Sequence, residues 1–510
     1  MAGKTMIQCV LLLLLLSLSV PIHASVINVP TDQPTIQEGI DAAFDGDTVL
    51  LAPGTYSGVG NYDITFAGKD IVVTSLDAPI YVTVDCYDAV AQTYHRGFLF
   101  ANGETSDAIL EGITITNAYV DTGSGVLIRS ASPVIRDCRF EHCGDPGVEP
   151  YYANNAGGGA ACFDGAKATF ENCLFYLCNA QSGGGMYIKD SADVTLLNCT
   201  FSRCYASDFR LGGETGSGPA IFIIRSSPVI TGCEIASNLM GFFQLGTQGS
   251  AGIASFDGSP VISYCSFVGN RTDTELYFGA CAIWARGGAP VISNCTFTLN
   301  KTPIVFSPVP ALCISLYNSG ALISHCILAQ NIVENPHPRY LMAPITWQVD
   351  TANPVIPTLE CNLIYGNTQG DYIGELTPFL GVDGNVQLDP RFCDTTFLSL
   401  KLAPNSWASP DHHPCGELVG AWPVDSTCPV IACCVDRRGN IDNSSDDLMS
   451  LGDLTKLIDI LFISLLPPNC WEEANLDESQ PEGEGSLSLG DLTALIDYLF
   501  ISLEQPPPCP

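Results

Sequence analysis

Short apolar runs recur along most of this chain at intervals of about 32 residues, and each run is centred on a cysteine. The clearest copies are 133–140 (PVIRDCRF), 228–235 (PVITGCEI), 260–267 (PVISYCSF) and 290–297 (PVISNCTF), and weaker copies contain Cys173, Cys199, Cys326 and Cys361. Helical repeats have similar lengths, but these copies consist of β-branched and aromatic residues separated by Gly, Ser, Asn and Asp. The pattern therefore predicts a solenoid of short parallel strands.

Each copy also contains the signal for a corner. One large apolar residue lies three positions before the cysteine and another lies two positions after it, which breaks the period of two expected for one strand face. In five copies the residue directly before the cysteine tolerates the left-handed conformation of a tight bend. These residues are Asp137, Asn172, Asn198, Gly232 and Asn294. We therefore expect two strands to meet here, with the cysteine pointing inward.

This register makes a prediction for the cysteines. Neighbouring coils of such a solenoid lie about 4.8 Å apart with parallel side chains, which suits neither the spacing nor the torsion of a disulfide. We predict an internal column of free thiols formed by Cys138, Cys173, Cys199, Cys233, Cys265, Cys295, Cys326 and Cys361. Five residues further on, a second corner should stack Cys143, Cys178 and Cys204 and then an asparagine ladder of Asn238, Asn270, Asn300 and Asn331. Disulfides are expected among Cys393, Cys415, Cys428, Cys433, Cys434, Cys470 and Cys509.

The two ends of the repeat region carry a family resemblance. Residues 35–43 (TIQEGIDAA) and 46–56 (GDTVLLAPGTY) look like the opening of right-handed parallel β-helix proteins with the pectin-lyase-like fold, and 398–423 looks like their closing segment. The resemblance covers roughly residues 26–425. It implies an all-β, single-stranded parallel β-helix with a short N-terminal helical cap over the first coil.

The N-terminal segment indicates where the protein is located, and the overall charge indicates which partners it lacks. Lys4 precedes an apolar run over 10–20, and small residues near Ala24 follow, which is typical of a secretory signal peptide. We therefore expect a secreted protein, extracellular or at a cell surface, with no membrane insertion. Twenty Lys and Arg against 54 Asp and Glu give a formal net charge of −34, which argues against a nucleic-acid partner.

A second repeat follows the β-helix. The segment 449–463 recurs at 487–501, and its apolar residues have the spacing of an amphipathic helix. This pair resembles a type I dockerin, which implies a small α-helical domain with two EF-hand-like calcium loops and a cohesin-like protein partner. The expected domains are a signal peptide at 1–24, the β-helix at 25–425, a linker at 426–434 and the dockerin-like domain at 435–510.

The dockerin resemblance assigns ligands for Ca²⁺, which prefers hard oxygen donors. The first loop would use Asp442, Ser444, Asp446, Ser450 and Asp453. The second would use Asp477, Ser479, Glu482, Ser488 and Asp491. This sequence departs from the family where Ser replaces the usual Asn or Asp, and the second loop is three residues too long. The alternative is that Asp453 and Asp491 only favour the positive ends of two helix dipoles.

Enzymes of the pectin-lyase-like fold cleave acidic polysaccharides with acid pairs, or with calcium-binding carboxylates and an Arg or Lys. Their hydrolase motifs are not found here. The outward positions at one corner carry Arg129, Asp164, Asp190, Arg225, Asp257 and Arg286, of which Arg225, Asp257 and Arg286 are the catalytic candidates. The alternative for this stripe is an ordinary solvated corner.

Three functions compete on these observations. We expect a non-catalytic β-helix that binds an extracellular polysaccharide or surface and is anchored by its dockerin-like module. The first alternative is a polysaccharide lyase or glycoside hydrolase, and the second is a structural adhesin or spacer. Fold alone does not decide between them.

Overall fold

The computed structural model describes residues 24–75, 79–144, 156–206, 218–241, 248–272, 278–302, 311–334, 336, 341–350, 354–394, 399–428, 438–442, 449–463, 468, 470–477 and 487–502. Residues 1–23 of the predicted signal peptide and most of the predicted linker lie outside these residues. Cys433, Cys434 and Cys509 lie outside them as well. Among the described residues, no helix is long and apolar enough to cross a membrane.

The chain winds through three long parallel sheets, and each coil adds one strand to each sheet in turn. The first sheet contains Val26–Val29, Thr48–Leu51, Val72–Ser75, Ile109–Glu111, Val134–Arg136, Thr169–Glu171, Thr195–Leu197, Val229–Thr231, Val261–Ser263, Val291–Ser293, Leu322–Ser324 and Thr358–Glu360. The second sheet contains Gly54–Tyr56, Val82–Asp85, Thr114–Thr116, Arg139–Glu141, Leu174–Tyr176, Thr200–Ser202, Glu234–Ala236, Ser266–Val268, Thr296–Thr298, Ile327–Ala329 and Leu363–Tyr365.

The third sheet closes each coil. It contains Ile64–Thr65, Phe98–Phe100, Val126–Arg129, Ala160–Phe163, Met186–Lys189, Ile221–Ile224, Ile253–Phe256, Ile283–Arg286, Ile314–Tyr317 and Ile345–Gln348. Between the second and third sheets a shorter fourth sheet contains Asn179–Ala180, Tyr205–Ala206, Leu239–Met240, Arg271–Thr272, Lys301–Thr302 and Ile332–Val333. Two small sheets pair Gln248–Ser250 with Phe278–Ala280 and Tyr87–Asp88 with Thr93–Tyr94. These connections make a parallel β-helix, as the sequence predicts.

The corner between the first and second sheets lies where the cysteine pattern predicts it. The residue before each stacked position has a positive φ, for example 52° at Asp137 and 67° at Gly232. Tyr264 and His325, which are not typical turn residues, take the same conformation with φ of 53°. The turn is therefore imposed by the inward apolar residues on either side of it, and the bend residue adapts.

The interior is made of matched columns of side chains. Inward residues of successive coils stack, and the rings of Phe140, Phe175 and Phe201 lie 4.7 and 4.5 Å apart and nearly parallel. The thiols of the predicted column from Cys138 to Cys326 are buried and free, as are Cys143, Cys178 and Cys204. These columns confirm the predicted register over seven coils.

The predicted asparagine ladder is also present. The side-chain amide of Asn300 donates to the side-chain carbonyl of Asn331 at 2.9 Å and to the backbone carbonyl of Phe267 at 2.9 Å. Asn270 repeats this arrangement one coil earlier and Asn238 two coils earlier. Each buried amide is thereby satisfied by its neighbours, which removes the cost of burying it.

The prediction for the last member of the thiol column is wrong. Cys361 is not a free thiol but forms a disulfide with Cys415. In the final coil, Leu359 pairs with Ile323, so the stacked position three residues later is Asn362 and Cys361 occupies the bend. A second disulfide joins Cys393 and Cys428, and Cys470 is disulfide-bonded as well.

Both ends of the β-helix are covered. The helix Ile36–Ala42 packs over the first coil, with Ile36 and Ile40 buried. Two short 3₁₀ segments, Pro79–Tyr81 and Gly374–Phe379, lie elsewhere in the described residues. After the last coil, residues 386–394 and 399–425 lie across the outer face of the second sheet, and Phe392, Leu402 and Trp407 are buried against it.

The C-terminal part contains two matched helices. Leu451–Ile458 continues as the π-helical turn Asp459–Ile463, and Leu489–Ile496 continues as Asp497–Ile501. A short helix, Trp471–Ala474, lies between them in the chain. Six buried apolar residues form a core that is separate from that of the β-helix, and these are Ile441, Leu457, Ile460, Ala474, Leu476 and Leu495.

Candidate functional site

A cluster of basic and aromatic side chains lies on the outside of the β-helix, where the chain leaves the second sheet. We call it the basic–aromatic corner, and it consists of Arg139, Glu141, His142, Tyr176 and Arg203. Glu141 and Tyr176 are paired in neighbouring strands, so both side chains point outward from the same row. His142 and Arg203 follow the strands at bend positions with φ of 53° and 54°. The corner thus forms because three successive coils repeat the same turn.

The side chains of this corner contact one another. Arg203 lies over the Tyr176 ring, 5.9 Å from its centroid, and donates to the Tyr176 hydroxyl at 3.2 Å. His142 meets the same ring edge-on at 6.4 Å. Arg139 donates through Nε to Glu141 at 2.9 Å. Arg203 and His142 are exposed, so a guanidinium and an imidazole are presented to solvent beside an aromatic ring.

A second group of charges adjoins this corner on the first sheet. Arg136 contacts both oxygens of Glu111, through Nε at 3.0 Å and a terminal nitrogen at 3.2 Å. The hydrogen bond to Glu111 raises the pKa of the Arg136 guanidinium above its ordinary value. Asp137, at the bend, accepts from Asn172 of the next coil at 3.3 Å. In this group the arginine is held by a carboxylate, whereas in the basic–aromatic corner the exposed Arg203 contacts only the neutral Tyr176 among the partners named here.

The predicted catalytic candidates lie on a different edge, between the third sheet and the first. Arg225 and Asp257 occupy the same column of bend residues, with φ of 47° and 51°. Arg225 is ion-paired with Asp190 of the preceding coil at 2.6 Å. The strand pairing places Gly287 in this column, one residue after Arg286. Arg286 lies instead over the ring of Tyr317, 5.8 Å from its centroid.

The outward charged residues that the sequence predicts to form one stripe therefore belong to two rows, which are offset by one residue. One row is the column of bends, and the other is the last outward position of each third-sheet strand. Arg129 belongs to the second row and lies over the Phe163 ring at 5.3 Å. The structure thus places Arg225 and Asp257 in one column on neighbouring coils, and Arg286 one residue outside it.

Six of the predicted calcium ligands lie in the described residues, and the two repeats hold them in the same way. Asp453 accepts from the backbone N–H of Asp442 at 3.0 Å and of Ser450 at 2.6 Å. Asp491 accepts from the backbone N–H of Asp477 at 3.3 Å and of Ser488 at 2.8 Å. Ser444, Asp446, Ser479 and Glu482 lie outside the described residues.

Two of the four described carboxylates in these repeats, Asp453 and Asp491, are buried, whereas Asp442 and Asp477 are exposed. Asp453 and Asp491 are 0% and 1% exposed, and burial raises the pKa of the Asp453 carboxyl, with a further contribution from the Asp442 carboxylate. The partners named above are neutral groups, which compensate a buried negative charge only in part. Within the described residues, no three His, Cys, Asp or Glu side chains are grouped so that they could hold a metal ion. The hard oxygen donors present nevertheless fit the chemistry of calcium.

Sequence reasoning missed the basic–aromatic corner. His142 and Arg203 each come directly before a cysteine of the second corner, Cys143 and Cys204. The sequence pattern draws attention to the buried thiols of this column. The residues of the site are the exposed ones that come one position before those thiols.

Comparison with known proteins agrees with the fold. The family model described as "Right handed beta helix region" matches residues 90–337. Together with the parallel coils described above, this match identifies the fold as a right-handed parallel β-helix. A search of curated proteins found no match.

Several solved structures align with the chain at low similarity. The PL6 family alginate lyase AlyGC is 12% identical with a TM-score of 0.32, and the alignment covers 68% of this chain and 53% of that enzyme. A mannuronic acid specific polysaccharide family 6 lyase from human gut microbiota is 14% identical with a TM-score of 0.24 over 72% of this chain and 85% of that one. The tailspike protein gp49 from Acinetobacter baumannii bacteriophage Fri1, a capsular polysaccharide depolymerase, is 12% identical with a TM-score of 0.26 over 72% and 61%. This chain thus spans about half the length of the alginate lyase AlyGC.

Proposed function

We propose that this protein is an exported β-helix protein that binds an acidic polysaccharide at the basic–aromatic corner without cleaving it. We further propose that its C-terminal part is a calcium-dependent, dockerin-like module that anchors it to a protein partner. The observation that carries the first proposal is the placing of Arg203 and His142 around the outward ring of Tyr176.

The chemistry of the corner suits a charged sugar chain. A guanidinium presents several donors in a fixed plane and pairs well with a carboxylate. An aromatic edge or face covers the apolar face of a sugar ring. The corner is a local exception in a chain of net charge −34, so long-range repulsion would oppose binding and short-range contacts must provide the affinity.

The pairing of the charged groups supports binding rather than cleavage. Arg225 is ion-paired with Asp190, and Arg136 is ion-paired with Glu111. An arginine held by a carboxylate is not available to stabilise the charge that develops on a uronate during cleavage. Arg286 also lies one residue outside the column of Arg225 and Asp257, so the three predicted catalytic residues do not form a single row.

The anchoring proposal depends on the symmetry of the C-terminal repeats. Equivalent apolar side chains are exposed to the same extent in both copies, at 58% for Phe462 and Phe500 and at 65% for Leu451 and Leu489. A duplicated apolar surface on a small domain is typical of a protein-binding site. Asp442, Ser450, Asp453 and their counterparts Asp477, Ser488 and Asp491 would hold calcium, which links the loops to the helices that follow them.

Binding can be tested with two variants of the corner and one matched control. Affinity electrophoresis and calorimetry would compare polygalacturonate and alginate with a neutral glucan. We expect Arg203→Ala and Tyr176→Ala each to weaken binding of the acidic polymers at least fivefold, and raised salt to weaken it further. The control is Arg129→Ala, which removes another exposed arginine stacked on a ring, 5.3 Å from Phe163. Equal losses in all three variants would exclude the corner, and no binding to any polymer would favour an adhesin or spacer.

A further inference from the structure

A second cluster of polar side chains lies near the N-terminal end, on the hairpin that pairs Tyr87–Asp88 with Thr93–Tyr94. The hairpin projects where the chain runs from the second sheet to the third. Its second strand leads directly into His95. Asp63 reaches the same place from the preceding coil, where it comes just before the strand Ile64–Thr65.

Three of these side chains form a continuous hydrogen-bonded chain. The Nδ1 atom of His95 lies 2.8 Å from Oδ2 of Asp63, and its Nε2 atom lies 3.0 Å from the Thr93 hydroxyl oxygen. A carboxylate can only accept, so Nδ1 carries a proton, and Nε2 of the neutral imidazole then presents a lone pair. In that neutral form the Thr93 hydroxyl donates to Nε2.

Further contacts hold the His95 imidazole and the Asp63 carboxylate in this orientation. The other oxygen of Asp63 accepts from the backbone N–H of Arg96 at 3.0 Å, which fixes the carboxylate. The ring of Tyr62 stacks on the imidazole with centroids 3.7 Å apart and planes 11° apart. The Tyr62 hydroxyl is itself tied to Oδ2 of Asp88 at 3.0 Å, and Asp88 pairs with Thr93 across the hairpin.

We propose that Thr93, His95 and Asp63 form a nucleophile, general base and positioning carboxylate that hydrolyse acyl esters, with O-acylated sugar chains as the substrate class. The nucleophile–histidine–carboxylate arrangement is recognised by which atoms face each other, and here the hydroxyl faces Nε2 and the carboxylate faces Nδ1. Thr93 is exposed and His95 is partly exposed, so a polymer-bound ester can reach both.

The reaction proceeds in two balanced steps. The Thr93 oxygen bonds to the ester carbonyl carbon while its proton passes to Nε2 of His95 and the carbonyl electron pair moves onto oxygen. The bond from carbon to the sugar oxygen then breaks, that oxygen takes the proton from Nε2, and an acyl-threonine remains. Water repeats the sequence on the acyl-threonine, so a carboxylic acid leaves and Thr93 regains its proton. Asp63 stabilises the imidazolium in both steps.

The choice of substrate class rests on the proposed function, because a protein that holds a polysaccharide meets its ester substituents. The ester chemistry does not rest on it. An acyl group is uncharged, so the carboxylates Asp63 and Asp88 beside the site do not repel it. Ester removal would leave the sugar chain intact and is compatible with a protein that binds without cleaving the polymer.

The experiment uses the full-length protein and a fluorophosphonate probe, followed by peptide mass spectrometry. We expect the probe to label Thr93, and we expect p-nitrophenyl acetate and acetylated xylan to release acetate. Thr93→Val should abolish labelling and lower the acetate rate at least 100-fold, whereas Thr93→Ser should keep both. The control is Thr105→Val, since Thr105 is also exposed and donates to a carboxylate, that of Asp70, at 2.7 Å.

Two further measurements separate the roles. His95→Gln should abolish labelling, and Asp63→Asn should lower the rate and move the acid limb of the pH–rate profile to lower pH, which a merely structural role would not do. Circular dichroism checks that each variant folds. Absence of the Thr93 adduct, or equal acetate rates in wild type and Thr93→Val, would overturn the proposal. Polysaccharide binding by Thr93→Val is measured separately, so failure of the esterase and failure of the binding surface give different results.

Discussion

Cys361 forms a disulfide with Cys415, 54 residues further along the chain, although it directly follows a column of buried free thiols. The difference arises from one residue of register. In the last coil the stacked position belongs to Asn362, which accepts from the backbone N–H of Cys326 at 3.0 Å. Cys361 therefore lies at the bend, where its side chain can meet the segment that closes the β-helix.

This relationship predicts a sharp division among the cysteines. Alkylation of the denatured, unreduced protein should modify the seven thiols of the column, because their parallel stacking does not suit a disulfide; these are Cys138, Cys173, Cys199, Cys233, Cys265, Cys295 and Cys326. Peptides containing Cys361, Cys393, Cys415 and Cys428 should be modified only after reduction. Mass spectrometry of the two samples measures this directly. Disulfides between neighbouring members of the column would show that the register is wrong.

Most of the β-helix could be predicted because its rules are local and repeated. An inward apolar residue, a bend and an inward thiol recur in each copy, so the period, the corner and the asparagine ladder follow from the sequence. The prediction fails in the last coil because its cysteine is not at the inward position. There Leu359 and Ile364 set the register, and Cys361 lies at the bend.

The functional surfaces could be predicted less well, for a different physical reason. Arg225 and Arg286 occupy similar places in their repeats, but a single residue of offset between coils turns one to the bend and the other to the end of the strand. The basic–aromatic corner depends on three coils together, and the contact of Asp63 with His95, 32 residues apart, depends on two neighbouring coils. Such contacts follow from the exact stacking of coils and not from any one segment.

Calcium should stabilise the C-terminal part and leave the β-helix unaffected. Adding a chelator should lower the midpoint of the helical transition and not that of the β transition, because calcium binding is coupled to the folding of the loops. Asp453→Asn should reduce calcium uptake by about one ion per chain, measured by calorimetry. The control is Asp459→Asn, which removes a carboxylate of the same helix that pairs with Lys456 at 3.6 Å. If neither the chelator nor Asp453→Asn changes the midpoint of the helical transition, the calcium proposal is contradicted.

The β-helix should not cleave the backbone of acidic polysaccharides. Polygalacturonate and alginate incubated with the protein should give no rise in absorbance at about 235 nm, where the unsaturated products of eliminative cleavage absorb, because Arg225 is paired with Asp190 and Arg286 lies over the ring of Tyr317. Reducing-end assays check for hydrolysis in the same samples. The opposite result would be cleavage that is lost in Arg225→Ala or Arg286→Ala and kept in Arg129→Ala. That result would make the protein a lyase or a hydrolase.

Acid should loosen the segment that closes the β-helix through His413. This side chain is 4% exposed, and burial, with a smaller contribution from His325, lowers its pKa to about 4. His325 in turn faces Glu417 at 3.3 Å. The unfolded chain takes up a proton near pH 6.5, whereas the folded chain resists it until about pH 4. The unfolded state thus binds more protons in this window, so stability falls as the pH is lowered through it.

The expected loss is roughly 1–3 kcal/mol between pH 7 and pH 4. Urea unfolding midpoints at a series of pH values measure it. His413→Gln keeps an acceptor for the backbone N–H of Cys415, which contacts Nδ1 at 3.3 Å, and does not titrate, so the fall with acid should be reduced. His142→Gln, at an exposed histidine, is the control and should leave the fall unchanged. A wild-type protein and a His413→Gln variant with the same pH dependence would show that His413 does not couple acid to the closing segment.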